Sequence, residues 1–252
     1  MNEKQYLIKC LLDLGEALLL AGAEINRVED SLSRVAKNYG ALKVDVFVLT
    51  SVINITVTFD DNSLETQTRR LNANATTDFK KIEELNALCR NCVNMSINEF
   101  DKELRKLSSQ MPEKIKQFVG SFLTAGGFAL FFGGSIFDGL LAGVFALLIC
   151  FLQIYYAKIC PNKVFFYLTS SLVIGIGIFA CCLISPNFNS DMIIIGDIML
   201  LIPGLALTNA VRDIIIGDTV SGLIKFSESL LWAVSLAGGF MLAISLWGGV
   251  FA

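Results

Sequence analysis

The stretch IIIGDIMLLIPGLALTNAVRDIIIGDTVSG, residues 193–222, decides how this sequence reads. It opens as an apolar run suited to a buried helix, yet it carries a carboxylate, Asp197, and a Pro203-Gly204 pair in its middle. Proline lacks the backbone N–H that a helical ladder needs, and glycine loosens the turn. In hydrocarbon the freed backbone groups must meet something polar, and transporters place substrates at such breaks. The simpler alternative is an ordinary proline kink. A carboxylate inside a membrane helix costs on the order of 2.5–3.5 kcal/mol on insertion scales, so Asp197 has to be paired, protonated or wet. It lies about one and a half turns before Pro203, where it can accept a proton or meet a cationic substrate group. Its other reading is a carboxylate near the interface that reaches outward. Thr208, Asn209, Arg212, Asp213 and Asp218 follow as a polar descent, in which Arg212 and Asp213 can also be a mere interfacial ion pair worth little energy.

Working outward, four more apolar segments accompany this one. The five spans expected are 117–134, 139–157, 164–184, 192–211 and 229–251, each long enough to cross about 30 Å of hydrocarbon. Lys158, Lys163, Arg212 and Lys225 fall in two of the connections, and Lys106, Lys114 and Lys116 precede the first span, whereas 134–138 and 185–191 hold no Lys or Arg. By the positive-inside rule the basic loops are cytoplasmic, which puts the N-terminus inside and the C-terminus outside. Glycine is frequent in the spans, at Gly126-Gly127, Gly175, Gly177 and Gly238-Gly239 for instance, and close helix packing accounts for it.

The remainder is a different kind of chain. The sequence has 252 residues, 54% hydrophobic, with a mean hydropathy of +0.62. Of its 20 Lys and Arg residues only four lie beyond residue 116, and of its 23 Asp and Glu residues only six. A charged part, 1–112, therefore joins an apolar part, 113–252, near Met111-Pro112. In the first part Leu7, Leu11, Leu14, Leu18 and Ala21 recur with helical spacing up to Gly22. Ile25, Val28, Leu32, Val35 and Tyr39 do the same up to Gly40, with Glu24, Arg27, Ser31 and Arg34 on the other face. Residues 44–71 switch to period two: Ile53, Ile55, Val57 and Phe59 alternate with polar residues, and Asp60-Asp61-Asn62 turns into a third strand at Leu64–Leu71. Thr77-Asp78 and the capping box Ser96/Glu99 start two further helices. The expected fold class is a membrane protein with an N-terminal cytoplasmic α+β domain and a bundle of five transmembrane helices.

Much chemistry is disfavoured. Asp13 and Glu16 interrupt the first apolar stretch, so it does not read as a signal peptide, and seven cysteines in such a chain are expected to be reduced. There is no histidine, hence no imidazole base or histidine–zinc site. Cys89 and Cys92 form a CxxC without a second ligand pair and read as helix-core residues. No Gly-rich loop carries the Lys-Ser/Thr of a nucleotide site. Both halves are near neutral, which does not suggest nucleic acid. No catalytic residue, metal or cofactor is expected, and the chain does not read as an enzyme.

Three stretches bear a resemblance. PGLALTNAVRDIIIGDTVSG at 203–222, GAEINRVEDSLSRVAKNYG at 22–40 and FDGLLAG at 137–143 resemble the threonine/serine exporter family. The resemblance implies the longer subunit of the split type, a cytoplasmic domain plus five spans, in the plasma membrane. It implies export of threonine and serine, or of dicarboxylates such as succinate, with a shorter membrane partner subunit in an oligomer. Protons or a substrate gradient would drive it. The candidate pathway residues are Asp197, Pro203, Gly204, Thr208, Asn209, Arg212, Asp213, Asp218 and Asp138, with Gly217 and Gly222 in the same motif. Gly22, Glu24, Arg27 and Glu29 are the corresponding candidates in the cytoplasmic domain, where a solvated helix face with intrahelical pairs is the plainer reading. A partner bundle joined at an outside C-terminus would form an inverted repeat with this one. The competing reading is a membrane-anchored sensor whose cytoplasmic domain binds a ligand or partner.

Overall fold

Residues that alternate apolar and polar with period two become a three-stranded antiparallel meander in the computed structural model, which describes residues 3–71, 77–110, 113–185 and 187–251. The expected division at Met111-Pro112 lies outside the described residues. Strands β1 (Ala41–Leu49), β2 (Val52–Phe59) and β3 (Leu64–Arg70) pair in sequence order. Ile53, Ile55, Val57 and Phe59 of β2 face the core. On the opposite face Asn54 donates to Thr68 and the hydroxyls of Thr56 and Thr66 meet at 2.9 Å, so side chains tie β2 to β3 across the wet surface.

Four helices cover the sheet's apolar face and one another: α1 (Glu3–Leu20), α2 (Ile25–Asn38), α3 (Phe79–Asn91) and α4 (Ile97–Ser109). Leu7, Leu11, Leu14 and Leu18 of α1 are buried together with Ile25, Val28, Leu32 and Val35 of α2. Ser31, expected on the polar face of α2, is buried as well. Helix α1 ends where Gly22, at φ 87°, sends its N–H to Leu19 and lets Ala23 reach the Leu18 carbonyl, a left-handed cap that suits glycine. Asp78 caps α3 through the Lys81 amide, and Ser96 with Glu99 closes the capping box of α4. Asp13 and Glu16, which break the apolar face of α1, both pair with Arg69 of β3. Cys89 and Cys92 are buried core residues.

The apolar part forms α5 (Lys114–Phe131), α6 (Ile136–Tyr155), α7 (Lys163–Ile184), α8 (Ser190–Leu201), α9 (Gly204–Ile216) and α10 (Thr219–Phe251). Among the described residues three stretches are long and apolar enough to cross a membrane: Ile136–Lys158, Lys163–Ile184 and Thr219–Trp247. Helices α8 and α9 qualify together as a pair bent by 48°. Helix α5 is not among them, because Lys114, Lys116 and Gln117 fill its first turn. The last helix begins at Thr219, well before the expected 229.

The chain divides into two compact units, Met1–Pro112 with Asn209–Leu223, and Glu113–Thr208 with Ile224–Ala252. The second unit is held by small residues. A Cβ added at Gly126 would lie 2.8 Å from the Gly139 carbonyl oxygen, and one at Gly196 would lie 2.6 Å from that of Ala125, so α5, α6 and α8 approach backbone to backbone. Gly239 of α10 similarly faces Leu168 and Ser171 of α7.

Replacing the fully buried Phe100, whose ring meets Tyr39 edge-on, with Ala should cost the first unit about 3–5 kcal/mol in urea denaturation of the chain in detergent. Phe79→Ala on the surface should change it by less than about 0.5 kcal/mol. Gly196→Val should lower the thermal stability of the solubilised protein, since the obstructing atom is backbone. Gly127→Ala, which meets nothing within 4 Å, should leave it unchanged.

Candidate functional site

Two clusters of polar residues stand out, one in each unit. In the second unit the interruption at Ile202-Pro203 ends α8. Pro203 has no N–H, and the Gly204 N–H turns back to the Ile202 carbonyl at 2.8 Å. The carbonyls of Met199 and Leu200 thereby lose the donors that an unbroken helix would supply four residues on. The ladder resumes with Leu207 donating to Pro203. A helix C-terminus and a helix N-terminus, with opposite partial charges, thus meet within two residues. Thr208 spends its hydroxyl on the Gly204 carbonyl, 2.9 Å away.

Asp197 sits in α8 just before this break. It is 0% exposed, and neither carboxylate oxygen has a hydrogen-bond partner. Helix α8 packs on α5 and α6, in a core built from Ala125, Ala129, Ala142, Ala146 and Ile193. Asp138 is different. It is 2% exposed, but one oxygen closes a capping box with Ser135 at the start of α6 and the other accepts the Asn189 N–H at 2.7 Å. It holds the connection before α8 to the start of α6. The Ser135-x-x-Asp138 spacing at the foot of an apolar run is the sequence signal for that cap.

In the first unit, residues 188 positions apart in sequence meet. Arg212 makes an ion pair with Glu24, the residue that precedes α2. Arg27 stands one turn along, its Nε 3.7 Å from the second Glu24 oxygen, which is too far for a hydrogen bond and leaves that buried oxygen without one. Glu29, half-buried, accepts the Val48 N–H at 2.9 Å and so ties α2 to β1. Burial pushes its carboxyl above the ordinary value of 4.5, and nearby Asp218 adds to the push, while the Val48 hydrogen bond opposes it. Asp213 is 2% exposed. Its carbonyl accepts the Asp218 N–H, and Gly217, at φ 111°, donates to Ile214; this left-handed cap ends α9. Gly222 permits the return of the chain, since a Cβ there would lie 2.8 Å from the Ala210 carbonyl oxygen.

The expected candidates therefore separate. Glu24, Arg27, Glu29, Arg212, Asp213 and Asp218 belong to the first unit, as does Asn209, and Asp138, Asp197, Pro203, Gly204 and Thr208 to the second. Gly22 serves as the cap of α1. Helical spacing placed Glu24 on a polar face and Arg212 stood in the polar descent after the break, but nothing in either announced their pairing. Among the described residues no group of three His, Cys, Asp or Glu side chains can hold a metal ion.

Several long apolar helices, with one bent pair broken at a proline and a buried carboxylate alongside, are those of a membrane protein. The chain belongs to the threonine/serine exporter family, ThrE, whose sequence profile matches residues 9–247. No curated protein and no solved structure matches it.

The raised carboxyl of Glu29 has a pH consequence. An acid held above its ordinary value contributes most when protonated; that contribution is full below about 4.5 and is lost as pH rises through the raised value. Glu29→Gln keeps the acceptor for Val48 and removes the charge. The variant should therefore gain thermal stability over the parent chain at pH 7 to 8 and show no gain near pH 4, as read in parallel melts of the two proteins.

Proposed function

We propose that the chain is the longer subunit of a secondary exporter for small polar metabolites, threonine and serine or dicarboxylates such as succinate, which works with a shorter membrane subunit of the same family. The observation that carries this is the break at Ile202-Pro203. A helix interrupted within an apolar segment leaves backbone groups that lipid cannot satisfy, and a small polar solute can. The family's exporter character supports the direction of transport.

In this reading five crossings bring the N-terminal domain to the cytoplasm and leave the C-terminus outside. Helix α5 makes the first crossing, with Lys114 and Lys116 at the inner interface, and α8 with α9 makes the fourth. Asp197, Pro203, Gly204, Thr208 and Asn209 line the pathway. Glu24, Arg27 and Glu29 with Arg212, Asp213 and Asp218 form a latch within the first unit, fastened by the Arg212–Glu24 pair. Asp138 keeps a structural role at the outer end of α6. The membrane is the plasma membrane, and the two bundles, this one and its partner's, rock about the break.

Inside-out vesicles that contain the chain and its partner should take up labelled serine or succinate; equal uptake in vesicles lacking the chain would reject the reading. Arg212→Glu should reduce the flux by roughly fivefold or more, and the exchanged pair Glu24→Arg with Arg212→Glu should recover much of it. A double variant no better than the single one would remove the latch.

A further inference from the structure

Asp197 is unlike every other carboxylate among the described residues. The remaining buried ones are engaged: Asp101 accepts from Tyr6 and Arg105, Asp138 from Ser135 and Asn189, and Asp213 is not without a partner either. Glu24 has one bare oxygen but pairs with Arg212. Asp197 has two bare oxygens and no contact with water.

The helices packed against α8 offer it little. The ionisable side chains of α5 are Lys114 and Lys116, about three turns from the Ala125 and Ala129 that meet Gly196. Those of α6 are Asp138 in its first turn, already engaged, with Cys150 and Tyr155 near its end. Those of α7 are Lys163 at its first residue, Tyr167, and Cys181 and Cys182 in its last turns. On α8 itself Asp191 stands in the first turn. None of the ion pairs formed by the described residues includes Asp197. An ionised carboxylate in such a place has neither a counter-charge nor a hydrogen bond, which is the arrangement that buried charge does not tolerate. Among the described residues Asp197 belongs to no group of three His, Cys, Asp or Glu side chains that could hold a metal ion. An ammonium group of a substrate would need an opening through which to reach the carboxylate, and Asp197 is 0% exposed. A proton needs neither space nor further ligands.

We propose that Asp197 is a proton-binding site, occupied while α8 is packed as seen here, and that it is the residue through which protons drive the exporter. The second half rests on the exporter reading above; the first does not. In the packed state the carboxyl is a neutral acid. When the α8–α9 bend opens and water reaches Asp197, the O–H bond breaks, the proton passes to that water, and the carboxylate keeps the electron pair. Water on the other side of the membrane returns a proton before α8 repacks. The missing donors for the Met199 and Leu200 carbonyls mark where water enters.

The test uses the full chain in liposomes, with its partner for the transport arm. Infrared difference spectra at neutral pH should show the carbonyl stretch of a protonated carboxylic acid, absent in Asp197→Asn and shifted in Asp197→Glu. Dicyclohexylcarbodiimide, which enters lipid and attacks protonated carboxyls, should modify residue 197 in peptide maps and no longer do so in the Asn variant. Asp197→Asn, a neutral stand-in for the acid, should melt no lower than the parent, which separates loss of the proton from loss of the fold. A spectrum unchanged by the substitution, together with no labelling at 197, would overturn the site. In the transport arm a pH gradient should drive export by the parent at least tenfold better than by Asp197→Asn, while the variant still exchanges solute for solute. Export indifferent to pH in the parent would overturn the coupling but leave the exporter reading intact. No export at all by the parent would overturn that reading and the coupling with it, while the infrared result still decides the proton.

Discussion

A backbone N–H or C=O in hydrocarbon has no water to turn to, and that constraint orders the apolar half of this chain. It demands unbroken helices, and the sequence supplies them at α6, α7 and α10. It also makes the one departure informative. Between Leu201 and Gly204 the ladder stops because Pro203 cannot donate and Gly204 donates elsewhere. A defect of that kind is tolerable only where protein, water or solute answers it. The transport reading, the role of the bend and the situation of Asp197 all descend from this single interruption.

The second unit shows what allows a broken helix to remain packed. Gly126, Gly139 and Gly196 bring three backbones together, so that α8 is held by close van der Waals contact as well as by its buried Ile193, Ile194 and Leu201. Among the described residues nothing in this packing supplies a counter-ion to Asp197. In the first unit charge is added to close packing. There Glu24 and Arg212, Glu29 and Val48 fasten α2 to its neighbours through directed contacts, the first of which a charge reversal can release.

Much of this was legible in residue order. Period two over Ile53 to Phe59 and helical spacing in α1 and α2 specified the buried faces, because each element's geometry presents a fixed face to the core. Gly22, Asp78 and Ser96 marked ends by local hydrogen-bonding chemistry, and the structure uses each of them so. Element lengths read less well. The last helix starts at Thr219, since the polar residues from Thr219 to Glu228 are compatible with helix though not with hydrocarbon, and hydropathy alone responds only to the latter.

What the sequence determined by itself is local: where apolar runs are long enough to be membrane helices, where the backbone ladder must fail, and which surfaces are polar. Those follow from the geometry of a few neighbouring residues. The tertiary structure alone decided that Arg212 answers Glu24, that Asp138 is consumed in a cap reaching Asn189, and that Asp197 is answered by nothing. A side chain's electrostatic circumstances depend on which distant segments pack beside it and how much water they exclude, and no window of sequence contains that information.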